Sequence, residues 1–189
     1  MYKRDRRDAA ASGLQDMQIN TQRLTLKTLS MAHLQTAYAY SSDPANTQYM
    51  MFLPVDSVEE TRRLIEDSLA ELKKDAPGYY KFAVLLGEKH IGGVGLYFDA
   101  APDIGELSWL FLPEYQGHGY ATEAARALME WAHARLGVNR FIALCDAENL
   151  PSQAVMRKLG MVLTDSTGTR KNRGSDELRR ELLFEVRLD

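Results

Sequence analysis

A single cysteine, Cys145, stands among 189 residues, so no intrachain disulfide can form. That composition suits a reducing compartment, and a cytoplasmic location is the expectation. Long apolar runs are also missing. None approaches the roughly 20 residues that a bilayer-spanning helix needs, so no membrane partner is expected. The opening MYKRDRRDAA lacks the apolar centre of a secretory leader, and none is expected. Positive charge is not in excess either. Lys and Arg number 23 against 26 Asp and Glu, a net charge of −3, which argues against a nucleic-acid binder driven by bulk electrostatics. His33, His90, His118 and His133 are dispersed and show no ligand spacing, so no metal is expected. There is no internal repeat.

What is present reads as globular. Hydrophobic residues make up 45 %, and the length suits one domain. Residues 1–16 are polar and charged and read as a flexible tail, leaving a single domain over 17–189. Alternation predicts a strand over Arg23–Leu29 and another over Tyr79–Leu86. Gly87-Glu88-Lys89-His90 is a hairpin turn into a strand over Ile91–Phe98. That strand carries Gly92, Gly93 and Gly95, which suggest close backbone approach. Ser30 is a plausible cap for a helix holding Leu34 and Ala37, and Ser57 with Glu60 resembles a capping box. A later strand covers Arg140–Cys145. A short helix covers Ser152–Leu159, with Ser152 a good N-cap and Asn149 a good turn former before it, and Met161–Leu163 begins a strand. Thr164–Asp176, with Arg170, Lys171 and Arg173, reads as a polar loop, and Leu178–Leu188 as the last strand.

The most informative stretch is Gly105–Arg126. An apolar strand over Glu106–Leu112 ends at Pro113, which cannot donate to a ladder. The turn Gln116-Gly117-His118-Gly119-Tyr120-Ala121-Thr122 follows. Ala121, Ala124, Ala125, Leu128, Met129, Ala132 and Leu136 then recur at helical spacing up to the stop at Gly137. A glycine turn that opens a helix suits an anion, because the first-turn N–H groups are free and that end is positive. It also suits a plain strand–helix connection. Neither a dinucleotide fingerprint nor a P-loop is present.

The order Gln116, Gly119, Ala121, followed by Gly-Tyr-Ala-Thr-Glu-Ala at 119–124, resembles the Q/R-x-x-G-x-G/A signature of the GNAT acyltransferase superfamily. The longer wording is similar to its RimJ/RimL-type branch. The resemblance spans about Gln22–Leu188 and is strongest over Ile91–Gly160. It implies an α/β (α+β) fold: a mixed, mostly antiparallel sheet of six to seven strands, flanked by about four helices and split at two central parallel strands. It implies acetyl-CoA bound in that split, with Gln116, Gly117, His118, Gly119, Tyr120, Ala121 and Thr122 at the diphosphate. It implies backbone N–H groups of Leu110, Phe111 and Leu112 at the thioester oxygen. Asn149 is then expected on the pantetheine arm and Ser152 at the departing sulfur. Two departures stand out: Pro151, and Met161 where the family usually carries an aromatic ring.

Acyl transfer to an amine needs a proton acceptor, because an amine of pKa near 10.4 is mostly protonated at neutral pH. Glu106 is the first candidate for the base, since it sits among apolar neighbours where burial would raise its pKa, and binding of the acceptor is its other reading. It also matches an acidic position common in that branch. The expected activity is N-acetyl transfer from acetyl-CoA to a primary amine, either a protein N-terminus or a small molecule. A homodimer is a family-based expectation. The competing reading is a CoA-binding sensor or partner-binding module on the same fold.

Overall fold

The computed structural model describes residues 17–98, 103–173 and 175–189. The tail expected over 1–16 lies outside them. Eight strands form one sheet, in the order β1-β2-β3-β4-β5-β6-β8-β7. They are β1 (Gln18–Asn20), β2 (Leu24–Thr28), β3 (Tyr79–Leu86), β4 (Lys89–Tyr97), β5 (Ile104–Phe111), β6 (Arg140–Asp146), β7 (Val162–Arg170) and β8 (Arg179–Arg187). The helices are α1 (Leu34–Ser42), α2 (Pro44–Thr47), α3 (Val58–Glu71), α4 (Tyr120–Leu136) and α5 (Leu150–Lys158). Every pairing is antiparallel except β5 with β6.

Helices cover both faces. On one, Leu107 and Phe111 of β5 pack with Ala124, Ala125, Leu128 and Met129 of α4. On the other, Leu110 and Leu112 pack with Leu34, Ala37 and Tyr40 of α1 and Ile65 of α3. Strand alternation therefore puts Glu106 and Ser108 on the α1–α3 face. In β4 the close approach is real: a Cβ on Gly95 would stand 2.7 Å from Ser108 Oγ.

Two segments differ from expectation. The loop expected over Thr164–Asp176 is strand as far as Arg170. β7 is an edge strand exposed along nearly its whole length, so it needs no apolar alternation and its polar sequence hides it. β1 is only three residues long, too short to show a period. The capping box at Ser57 is half formed. Ser57 Oγ accepts the Glu60 N–H at 3.2 Å, but Glu60 reaches past the cap to the Asp56 N–H at 2.7 Å.

Candidate active site

The site begins where β5 and β6 part. They pair only at Ile104–Arg140, Gly105–Phe141 and Glu106–Ile142. Beyond Glu106 each strand runs on without the other, which opens a cleft at their carboxyl ends. The turn into α4 leaves from the end of β5, and the turn into α5 from the end of β6. Both helices thus start at the open end of the sheet, where parallel α/β sheets place ligands.

The two helix starts are treated differently. Asn149 caps α5, its Oδ1 accepting the Ser152 N–H at 3.1 Å. The cap is therefore Asn149 rather than Ser152, and the helix starts at Leu150, with Pro151 in its first turn. Proline fits there because a first-turn N–H has no helical acceptor to lose. Side chains also cap α2 and α3. α4, the longest helix, has no side-chain cap. Its N-cap is Gly119 at φ +81°, preceded by Gly117 at φ +77°. Helix geometry leaves the N–H groups of Tyr120, Ala121 and Thr122 without helical acceptors. A Cβ on Gly117 would meet nothing within 4 Å, so the turn stands open. This is the end that carries the helix's positive partial charge.

Within β5 the three expected backbone donors divide. The Leu112 N–H donates to Ile91 O at 3.0 Å, on the β4 side. Alternation turns Leu110 the same way and Phe111 toward the split. The split takes β6 away from the Phe111 carbonyl. Two side chains replace it: Asn46 Nδ2 and Gln116 Nε2 each donate to that oxygen at 3.1 Å. Gln116 Nε2 also meets Asn46 Oδ1 at 2.6 Å. Asn46 stands two residues after Pro44, and nothing local in the sequence marks it for this contact. Glu106 lies at the apex of the split, half-buried, beside Tyr97 in the β4–β5 register. Ser152 is half-buried, and among the described residues its hydroxyl has no partner.

His118 is exposed, its ring stacked on Tyr120 at 5.7 Å with Nδ1 2.7 Å from Gln116 O. Cys145 is buried, and burial pushes its thiol up to about 11, which makes it a poor nucleophile. Met161 is buried in the main core, so its apolar character is used and an aromatic ring is not required.

The basic residues at 170–173 are not a solvated loop. Arg170 is buried and donates to Tyr49 O, Asn172 Oδ1 and Glu181 Oε2 at 3.1 to 3.2 Å. Arg173 grips Asp56, Glu60 and Phe52 O. Asp146, 1 % exposed, sits between Arg179 Nε (2.7 Å), Asn172 Nδ2 (2.7 Å) and the Glu148 N–H (2.8 Å). Burial alone would raise its pKa, but these donors outweigh burial and hold it below the ordinary carboxylate range. On the α1–α3 face His90 is buried against His33 (4.9 Å) and Tyr40 (5.8 Å). Burial, helped by His33, pushes His90 down to about 4.

Residues 23–162 match the family description "Acetyltransferase (GNAT) domain". The chain belongs to the GNAT acetyltransferase family. The uncharacterized N-acetyltransferase YnaD of Bacillus subtilis (strain 168) is 34 % identical over 148 residues, 77 % of this chain and 82 % of that protein. The solved structures that share the fold include two acetyltransferases. One, from Salmonella typhimurium, modifies the N-terminal serine of ribosomal protein L7/L12. It superposes with a TM-score of 0.80 at 16 % identity, over 92 % of this chain and 100 % of its own. The other, a spermidine N-acetyltransferase from Vibrio cholerae in complex with CoA and spermine, has a TM-score of 0.76 at 16 % identity, over 88 % and 96 %. The protein is an acyl-CoA-dependent N-acetyltransferase. Among the described residues no cluster of His, Cys, Asp and Glu could hold a metal, and no helix is long and apolar enough to cross a membrane.

Proposed function

We propose that this acetyltransferase moves the acetyl group of acetyl-CoA directly onto a primary amine bound on the α1–α3 side of β5. The observation that carries this reading is the uncapped, glycine-led start of α4 at the open end of the β5–β6 split. The turn from Gln116 to Thr122 holds the diphosphate through backbone N–H groups. A cleft of about 450 Å³ adjoins it, lined in part by Gln22, Thr122, Glu123, Arg126, Glu130 and Lys158, and its position beside the turn suits the nucleotide half of the donor. The acyl arm enters the split.

The amine lone pair attacks the thioester carbonyl carbon while Glu106 takes the proton that the nitrogen loses. The Phe111 N–H, on the split side, stabilises the negative charge that grows on the carbonyl oxygen. The C–S bond breaks, and the Ser152 hydroxyl donates a hydrogen bond to the departing sulfur. Asn149 both caps α5 and borders the arm. On the acceptor side, α2 touches β5 through Asn46, and the loop 49–56 follows directly from α2. That continuity supports placing the amine there.

The test incubates the protein with acetyl-CoA and a panel of amines, peptides with free N-termini beside polyamines and amino sugars. Release of free thiol is read together with the mass of the acceptor. Amine-dependent thiol release with a 42 Da gain on the acceptor is the expected result. CoA binding without transfer to any amine would favour the non-catalytic module instead.

A further inference from the structure

The residues assigned to the donor do not fully explain what holds the turn in shape. Its own sequence works against order. Glycine loses more freedom on folding than any other residue, and two of them in the left-handed region lead into α4, whose N-terminus no side chain caps. Gln116 ties the turn's near side to Phe111 and Asn46, and its far side is held by a residue 100 positions earlier in the chain. Arg23 immediately precedes β2, and its side chain makes three contacts around the turn. Its Nε donates to Glu123 Oε2 at 2.6 Å, and its Nη1 to the His118 carbonyl at 3.1 Å. Its guanidinium carbon lies 4.6 Å over the Tyr120 ring. Its Nη2 is 3.6 Å from where a Cβ on Gly119 would stand.

Glu123 is the other half of the clasp. Its Oε1 accepts the Thr21 hydroxyl at 2.6 Å and the Arg23 N–H at 2.9 Å. Burial works to raise this carboxyl, but the three donors outweigh burial and hold it ionised below the usual carboxylate range. Thr21, Arg23, His118, Tyr120 and Glu123 are therefore one bonded body that spans both sides of the turn. The Arg23 side chain is 43 % exposed, and ion pairs so placed contribute little to fold stability. Its effect belongs to the turn rather than to the fold.

We propose that Arg23, acting with Glu123, is a positioning residue for donor binding. It fixes the turn before the donor arrives, so the ordering cost is not charged to binding. This rests on the reading that the turn holds the diphosphate of acetyl-CoA.

The test uses the full chain with Arg23→Gln, Arg23→Lys and Glu123→Gln. CoA affinity is measured by calorimetry, and KM for each substrate by initial rates. The expected result for Arg23→Gln is a Kd for CoA and a KM for acetyl-CoA raised about tenfold, roughly the scale of one lost charge-assisted contact. The amine KM and kcat stay within about twofold, since only binding of the donor is altered. Arg23→Lys, which keeps the charge but loses the fork and the stack, recovers part of the loss. Glu123→Gln moves donor affinity in the same direction. If the Arg23 variants do not fold, Tyr120→Leu, which removes the stacking of Arg23 and His118 on that ring and leaves the Arg23–Glu123 pair, repeats the measurement with a smaller expected rise. Unchanged CoA affinity in a folded Arg23→Gln protein would overturn the proposal while leaving the donor site in place. So would an equal rise in both KM values. Failure of the unaltered protein to bind CoA would overturn the donor reading itself, and this proposal with it.

Discussion

The turn at 116–122 and the loop at 49–56 are both short irregular segments, yet they are built in opposite ways. The path of the turn follows from its neighbours in sequence, a strand that ends at Pro113, two left-handed glycines and a helix that begins without a cap, and Arg23 only clasps that path from outside. The loop is held from far away. Arg170 reaches Tyr49, and Arg173 reaches Phe52, Asp56 and Glu60, across 113 to 121 residues of chain. The turn presents backbone N–H groups that suit any diphosphate-bearing donor. The loop is held by arginine side chains on its Tyr49 and Phe52 carbonyls and on Asp56, contacts that one substitution can rearrange.

The comparison can be broken first at its buried anchor. Asp146→Ala removes the carboxylate that ties Arg179 and Asn172 to the end of β6. Breaking a buried pair costs about 3–5 kcal/mol. A thermal melt should fall by roughly 6–20 °C for a domain of this size. An unchanged melt would show that the arginine network does not hold this side of the molecule.

Glu106 separates chemistry from binding. Glu106→Gln should lower kcat about a hundredfold, the scale of a positioned base, with CoA affinity unchanged. Full activity in that folded variant would remove Glu106 from the mechanism.

Acid should act on the α1–α3 face before it acts on the turn. His90 titrates near 4 when folded, below the ordinary value of 6.5. Between those two values the unfolded chain binds a proton that the folded chain refuses. Stability contributed by neutral His90 is therefore complete above about pH 6.5 and lost as pH falls toward 4. The loss amounts to about 2–3 kcal/mol, and His90→Gln should flatten it. Denaturant midpoints at pH 7, 6, 5 and 4 measure both curves.

The smallest effect is expected at Arg173. Its partner Asp56 is exposed, so Arg173→Ala should cost less than about 1 kcal/mol of stability. The amine KM should rise a few-fold while the acetyl-CoA KM stays put. Equal changes in both would mean that the loop does not belong to the acceptor side.

The same contrast explains how far the sequence could be read. β3, α4 and β6 lie close to where periodicity puts them, because each has a buried stripe bounded by turn residues. The split, the positive-φ glycines and Gln116 follow from one contiguous motif. Arg170 and Arg173 read as solvated because a cation's partner 120 residues away leaves no local trace. Asn149 and Ser152 are both good cap residues, and only the geometry of the first turn of α5 chooses between them. Arg23 sits in an alternating strand pattern like any surface cation, so its hold on Tyr120 and Glu123 was invisible.

The central claim is that acetyl-CoA is held on the glycine turn. Calorimetric titration of acetyl-CoA into the unaltered protein and into Gly119→Val tests it most directly. A branched residue at φ +81° is strained, so the turn must shift. The predicted result is one site per chain in the unaltered protein and affinity weakened about tenfold or more in the variant. Equal affinity in a folded Gly119→Val protein, or no binding to either, would contradict the account.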